Sequence, residues 1–234
     1  MAVLEPAVPF AAALRRSDVA IIAEIKRRSP SKGILDAALD AGVRAAEYAA
    51  GGAAALSILT EPVEFGGALD DIAVARRAVP VPLLRKDFIV DEVQLLEARA
   101  AGASAVLLIA RAHRADRFFA LAAAARSMGL DVLLEVRDEA ELECALGVPG
   151  GVIGVNNRNL ETLAIDDAVS ERLLRLVPPE RIAVYESGVR DGEGVRRAAS
   201  LGADAVLVGS TLSLSLSPVD AVRQLTGVTR IARG

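Results

Sequence analysis

The chain has no tryptophan, one cysteine, one histidine and 3% aromatic residues, and only three of its 27 basic residues are lysine, leaving 24 (27 minus 3) arginines. Each shortage excludes something. The single Cys144 permits no disulfide framework. Its setting among Ala140, Leu142, Ala145 and Leu146 reads as a buried helix thiol, which fits a reducing cytoplasm. The single His113, in Arg111-Ala112-His113-Arg114, has no second histidine or cysteine beside it, so it reads as a solvated loop residue, and no metal-ligand spacing occurs anywhere in the chain. No apolar run approaches the ~18 residues of a membrane span. Glu5, Pro6 and Pro9 break up the N-terminal apolar residues, and no basic n-region precedes them, so neither a membrane partner nor a signal peptide is expected. A net charge of -4 and a pI near 5.2, with arginines interleaved among Asp and Glu, give no footprint for nucleic acid.

What is present is a chain of 234 residues, 53% hydrophobic and 25% charged, long enough to bury a full core. Lysine has been nearly eliminated as a surface cation, so the surviving Lys26, Lys32 and Lys86 stand out. An ammonium can give up its proton in a desolvated site, whereas a guanidinium stays charged. Lys26 and Lys86 each close an apolar run.

Eight short apolar runs recur, near residues 20–25, 54–59, 81–85, 104–110, 131–136, 150–155, 181–186 and 204–209. They are continuous rather than strictly alternating, as in parallel strands covered on both faces. Helical periodicity fills the intervals near 37–49, 67–78, 91–100, 114–127, 138–146, 166–176, 191–200 and 217–225. Gly52, Gly102 and Gly202 precede strand entries, where a helix C-terminal glycine belongs. Eight βα units in about 234 residues predict an α/β protein, a single-domain (β/α)8 TIM barrel over residues 20–234, preceded by a short segment, 1–19, with room for one helix around Pro9 to Arg16. An open doubly wound sheet fits less well, because Arg27-Arg28-Ser29-Pro30-Ser31-Lys32-Gly33 after the first strand is no G-x-G-x-x-G loop.

Barrel active sites form at the C-terminal strand ends. Those ends carry Glu24 and Lys26, in phase with Ile22, then Lys86, Glu135, Asn156, Glu186 and Ser187. Ionised groups pointing into a barrel are costly unless paired or used, and their convergence suits acid–base chemistry. Each residue taken singly is also compatible with a structural ion pair. The pairs Ser187-Gly188 and Gly209-Ser210, at the ends of the last two strands, fit a phosphate site and hence a small phosphorylated substrate.

Several motifs are specific. Glu24-Ile25-Lys26-Arg27-Arg28-Ser29-Pro30-Ser31-Lys32-Gly33 and Leu84-Arg85-Lys86-Asp87-Phe88-Ile89-Val90 closely resemble the signatures of the indole-3-glycerol phosphate synthase family of tryptophan biosynthesis. The likeness continues through Leu134-Glu135-Val136, Ile153-Gly154-Val155-Asn156-Asn157-Arg158-Asn159-Leu160, Glu186-Ser187-Gly188 and Val208-Gly209-Ser210. The resemblance implies a cytoplasmic, cofactor-independent carboxy-lyase, a monomer or weak homodimer. It would convert 1-(2-carboxyphenylamino)-1-deoxyribulose 5-phosphate to indole-3-glycerol phosphate with loss of CO2 and water. It makes Lys86 the general acid and Glu135 the acid or base of the dehydration, with Glu24 and Lys26 assisting. Asn156 and Glu186 would hold substrate hydroxyls, Ser29, Ser187, Gly188, Gly209 and Ser210 would lie on the phosphate side, and Phe88 would wall the anthranilate ring. Arg158 receives no defined role, and the second proton stays open between Lys26 and Glu135.

Two departures accompany the likeness. The family carries a longer N-terminal extension whose helices help cover the mouth, whereas 19 residues precede Ala20 here; looser substrate binding is the expectation. Tyr185 replaces a typically small residue and should point away from the barrel. Other readings of the same residues are a Schiff-base lyase with Lys86 or Lys26 as the amine, an Amadori-type isomerase, for which the first strand lacks a cysteine, and a barrel that binds a phosphorylated ligand without turnover.

Overall fold

The computed structural model describes residues 8–233. Eight parallel strands close into a ring: β1 Ala20–Ile25, β2 Ala55–Leu59, β3 Leu83–Lys86, β4 Ala105–Ile109, β5 Asp131–Val136, β6 Val152–Asn156, β7 Ala183–Glu186 and β8 Ala205–Val208. β1 pairs with both β2 and β8, which is what closes the barrel. The eight apolar runs are therefore the eight strands, trimmed by one or two residues at most of their starts.

Alternation is present after all, between two apolar environments rather than between core and water. One phase, including Ile21, Leu56, Ile58, Val106, Leu108, Leu134, Ile153 and Val206, packs outward against the helices, where Tyr48, Ile72, Leu95, Phe118 and Leu121 meet it. The other phase, Ile22, Leu84, Ala105, Leu107, Leu133, Val152, Val184 and Leu207, fills the barrel. Extending that inner phase toward the strand C-termini reaches Glu24, Lys86, Glu135, Asn156 and Glu186. Period-two geometry is thus what aims these residues inward.

The outer ring is α2 Ala41–Ala50, α3 Asp70–Ala78, α4 Glu92–Ala101, α5 Ala115–Ser127, α6 Glu139–Leu146, α7 Ala168–Leu173, α8 Gly192–Ser200 and α10 Pro218–Arg223. Four of these helices begin at an aspartate whose carboxylate accepts a first-turn N–H: Asp40, Asp91, Asp138 and Asp191. Asp40 sets the start of α2 at residue 41 rather than 37. The expected helix over 166–176 divides into α7 and a 3-10 turn, Leu174–Leu176. At the other end of α4, Gly102 takes φ 95°, the left-handed cap anticipated from the sequence. No described helix is long and apolar enough to cross a membrane.

The N-terminal helix corrects an expectation. α1, Phe10–Ala13, is shorter than the Pro9–Arg16 span and closes the floor of the barrel, not its mouth. Phe10 and Leu14 are fully buried among the innermost residues Ala20, Ile22 and Val152, and the Ala11 N–H donates to Asp131 Oδ2 at 2.9 Å, at the start of β5. A mouth-covering role for this segment has no support from α1, and residues 1–7 of the 1–19 segment lie outside the described residues. Cys144 and His113 are each half-buried rather than fully buried and fully solvated, the histidine because its ring lies 6.2 Å from that of Phe118. Tyr185 points outward as expected, buried in the strand–helix layer with its hydroxyl donating to Asp167 Oδ1 at 3.0 Å.

Candidate active site

At the C-terminal ends of the strands lies a cavity of about 200 Å3. Glu24, Lys26, Lys86, Asn156, Arg158, Glu186, Ser187, Gly188, Gly209 and Ser210 line it, together with Lys32. A smaller cleft of about 50 Å3 adjoins it, mostly apolar, with Leu59, Phe65, Phe88, Leu107 and Ile109 as walls and Glu135 at its base. Lys86 lines both, so the ammonium sits at the seam between a polar chamber and an apolar one.

Three strands converge on that ammonium. Lys86 Nζ is 3.4 Å from Glu135 Oε2 and 3.6 Å from Glu186 Oε2, and the two carboxyl side chains are only 5% and 2% exposed. Burial works against the Lys86 charge, but Glu135, Glu186 and Glu24 outweigh it and hold the ammonium above the ordinary lysine range. The opposite happens to Glu186. Burial pushes its carboxyl up to about 8, with Glu135 and Glu24 adding to the push and Lys86 opposing it, so near neutrality it carries a proton. One lysine in a buried site can hold one carboxylate ionised more readily than two.

A second pair stands across the chamber. Lys26 Nζ donates to Glu24 Oε1 at 2.7 Å. Burial would raise the Glu24 carboxyl, but Lys26, Lys86, that hydrogen bond and Arg158 together draw it below the usual carboxylate range. The mouth thus contains one neutral acid, Glu186, beside an ionised Glu24 and the ammonium of Lys86.

Asn156 ties the elements together. Its Nδ2 donates to Glu135 Oε1 at 3.0 Å, while its Oδ1 accepts from the Arg158 N–H and from Ser187 Oγ, each at 2.9 Å. Ser187 has φ 65°, an uncommon conformation for a residue with a side chain, and Gly188 follows at φ 101°. Asn157 braces that turn, Nδ2 donating to the Ser187 carbonyl at 3.1 Å. Arg158 is held by Nη1 on the Leu163 carbonyl at 2.8 Å.

Sequence reasoning placed nearly all of this set in one mouth. Ser29 is the exception: it lies in a two-stranded antiparallel ribbon, Arg28–Ser29 with Gly33–Ile34, and lines neither chamber, its buried hydroxyl having no partner among the described residues. The ribbon instead delivers Lys32 to the cavity. Lys32 stands out by its rarity but was not assigned to the site, and Phe65 and Leu160, which line both chambers, lie in stretches that share the family likeness but received no role.

Buried acids and amines at the C-terminal mouth of a parallel barrel define an enzyme of the (β/α)8 class working by proton transfer. Comparison with known proteins narrows the class. The family model described as "Indole-3-glycerol phosphate synthase" matches residues 2–225. A protein of that name from Nocardioides sp. is 50% identical over 214 residues, covering 92% of this chain and 82% of its own length. "Indole-3-glycerol phosphate synthase 2" of Streptomyces coelicolor is 48% identical, covering 95% of this chain and 86% of its own. The solved structure of thiamine phosphate pyrophosphorylase from Pyrococcus furiosus superposes with a TM-score of 0.65 over 91% of this chain and 95% of that one, at 15% identity, a likeness of fold alone. The chain belongs to the indole-3-glycerol phosphate synthase family, carboxy-lyases of tryptophan biosynthesis.

Proposed function

We propose that this barrel closes the indole ring of indole-3-glycerol phosphate, with Lys86 as the general acid. The observation that carries the assignment is the position of Lys86 at the seam of the two chambers. The substrate, 1-(2-carboxyphenylamino)-1-deoxyribulose 5-phosphate, has an aromatic ring at one end, a phosphate at the other and the reacting ketone between them. Phe88, half exposed at the cleft rim, walls the ring, and Ser187, Gly188, Gly209 and Ser210 form the phosphate side.

As the ring carbon attacks the ketone, electrons move onto the ketone oxygen, and the Lys86 ammonium gives that oxygen its proton. The tight hold on this proton is no obstacle. A developing alkoxide is itself strongly basic, and a fixed cation in a buried site stabilises it before transfer is complete. Loss of CO2 from the same ring carbon returns the bonding electrons to the ring. Expulsion of the hydroxyl as water, with loss of a proton from the methylene carbon beside the nitrogen, forms the last double bond and completes the indole. Glu135, ion-paired to Lys86 and held by Asn156, acts in that dehydration, and Lys26 is the other group able to move the second proton, with Glu24 fixing its position. Asn156 and Glu186 hold substrate hydroxyls, and Arg158 adds positive charge beside Glu24. The partner is thus a small anionic substrate, and the compartment the cytoplasm, as the lack of a disulfide framework fits.

A Schiff-base lyase needs a neutral amine, and the carboxylates around Lys86 favour its charged form. Incubating the purified protein with the ribulose phosphate and following indole fluorescence tests the function. Turnover that Lys86→Ala abolishes is the expected result; near-normal kcat in that variant overturns the acid assignment.

A further inference from the structure

Gly154 has no catalytic chemistry of its own, yet it lies at the centre of the acid cluster. In β6 it occupies an inner-phase position between Val152 and Asn156, paired in register with Glu135 of β5 on one side and Val184 of β7 on the other. A glycine inside a strand weakens it unless the backbone or the space requires one. The backbone does not require it here, since Gly154 is absent from the positive-φ glycines. The space does. A Cβ on Gly154 would lie 2.1 Å from Glu186 Oε1 and 3.2 Å from its Cδ, with Leu133 Cδ1 also at 3.2 Å.

We propose that Gly154 is a positioning residue: its bare Cα is the seat on which the Glu186 carboxyl rests, and any side chain there drives that carboxyl off its place beside Lys86. The inference rests on the reading of Lys86 as the acid, and deepens it. Glu186 Oε1 lies against the seat with no hydrogen-bond partner among the described residues, while Oε2 is the atom 3.6 Å from Lys86 Nζ. The carboxyl faces Lys86 from β3, Glu135 from β5 and Glu24 from β1, and β6 stands between the two strands that bear Glu135 and Glu186. Only a residue without a side chain in that strand leaves room for the Glu186 carboxyl to lean across it toward the ammonium. The construction is repeated across the mouth. A Cβ on Gly209, at the end of β8, would lie 2.2 Å from Glu24 Oε1 on neighbouring β1 and 2.7 Å from Lys26 Nζ. Each buried acid of the two pairs that leans over an adjoining strand does so above a glycine.

The test is a double-mutant cycle in the full-length protein, read by thermal unfolding and by steady-state kinetics. Gly154→Ala in the wild-type background should lower Tm by about 5 °C, the cost of an overpacked site, and lower kcat by about 100-fold, as expected when a reacting group is displaced by an ångström or so. The pH profile of kcat/KM should change with it, because the displaced Glu186 meets different charges. In a Glu186→Ala background the added methyl enters vacated space, so Gly154→Ala should cost no Tm and no further kcat. An equal loss of Tm in both backgrounds would overturn the proposal by showing that Leu133 or the backbone, not Glu186, excludes the methyl. Wild-type kcat and pH profile in Gly154→Ala would overturn it as well. The stability arm is independent of the reaction, so an active Lys86→Ala variant would refute the acid assignment while the cycle still decides the seat.

Discussion

Replacing Glu186 by glutamine should make folding stability nearly independent of pH between pH 7 and 9, where the wild-type protein loses stability. The side chain keeps its shape, so the change isolates the charge. In the folded protein this carboxyl titrates at about 8, against 4.5 for the ordinary group, so between those values the folded state binds a proton that the unfolded state has lost. Stability therefore falls as pH rises through that window and levels off above about 8. With 1.36 kcal/mol per pH unit of full proton difference, the wild type should lose about 1 kcal/mol from pH 7 to 8 and about a third of that from pH 8 to 9. Other shifted groups leave the window clear. The lowered Glu24 contributes stability that is lost only as pH falls below the ordinary carboxylate range, and the raised Lys86 contributes stability lost only above the ordinary lysine range. The half-buried His113, lowered from 6.5, titrates below pH 7, and Cys144, raised from 9.0, titrates above pH 9. Urea unfolding at pH 7, 8 and 9 measures the difference directly, with constant m-values as the control for two-state behaviour. Parallel pH profiles for wild type and Glu186→Gln would refute the claim that Glu186 is buried as a neutral acid.

Other changes separate the parts of the fold. Lys86→Arg keeps the positive charge but cannot release a proton, so kcat should drop by at least about 100-fold, measured by indole fluorescence; activity within tenfold of wild type would mean that the charge alone suffices. Borohydride added during turnover should leave the protein's mass unchanged, and a trapped substrate adduct would favour the Schiff-base reading. Phe10→Ala should cost about 3–5 kcal/mol in denaturant unfolding, because α1 plugs the barrel floor with a fully buried ring; a cost below 1 kcal/mol would mean that α1 is not docked there. Asp204→Ala should cost about 3 kcal/mol, since its nearly buried carboxylate pairs with Arg230 and Arg233 and accepts the Ala183 N–H, and only Arg233 keeps other partners among the described residues, the carbonyls of Gly202 and Arg181.

The barrel was legible because inward and outward strand positions are both apolar, so each strand appears as an unbroken run, and because ionisable residues such as Lys86 and Glu135 then interrupt those runs only at their ends. The rare lysine, in a chain that otherwise uses arginine, marked the residue proposed as the acid. What was not legible depended on which parts of the chain meet in space. The apolar residues of α1 say that it docks, but not at which end of the barrel. The ribbon has two residues per strand, too few to show a period, so neither the inward burial of Ser29 nor the delivery of Lys32 followed from the sequence. The four-residue α9, Ser210–Ser213, is hidden for the same reason. Gly154 appeared only as part of a motif, because a seat is defined by the carboxyl that rests on it, and that carboxyl comes from another strand.

The most direct test of the central claim is the turnover of 1-(2-carboxyphenylamino)-1-deoxyribulose 5-phosphate by the purified wild-type protein and by Lys86→Ala, side by side, with both shown to be folded by their unfolding transitions. Indole fluorescence that grows with the wild type and stays at the background rate with the variant is the predicted result. Equal rates from the two proteins, or none from the wild type, would contradict it.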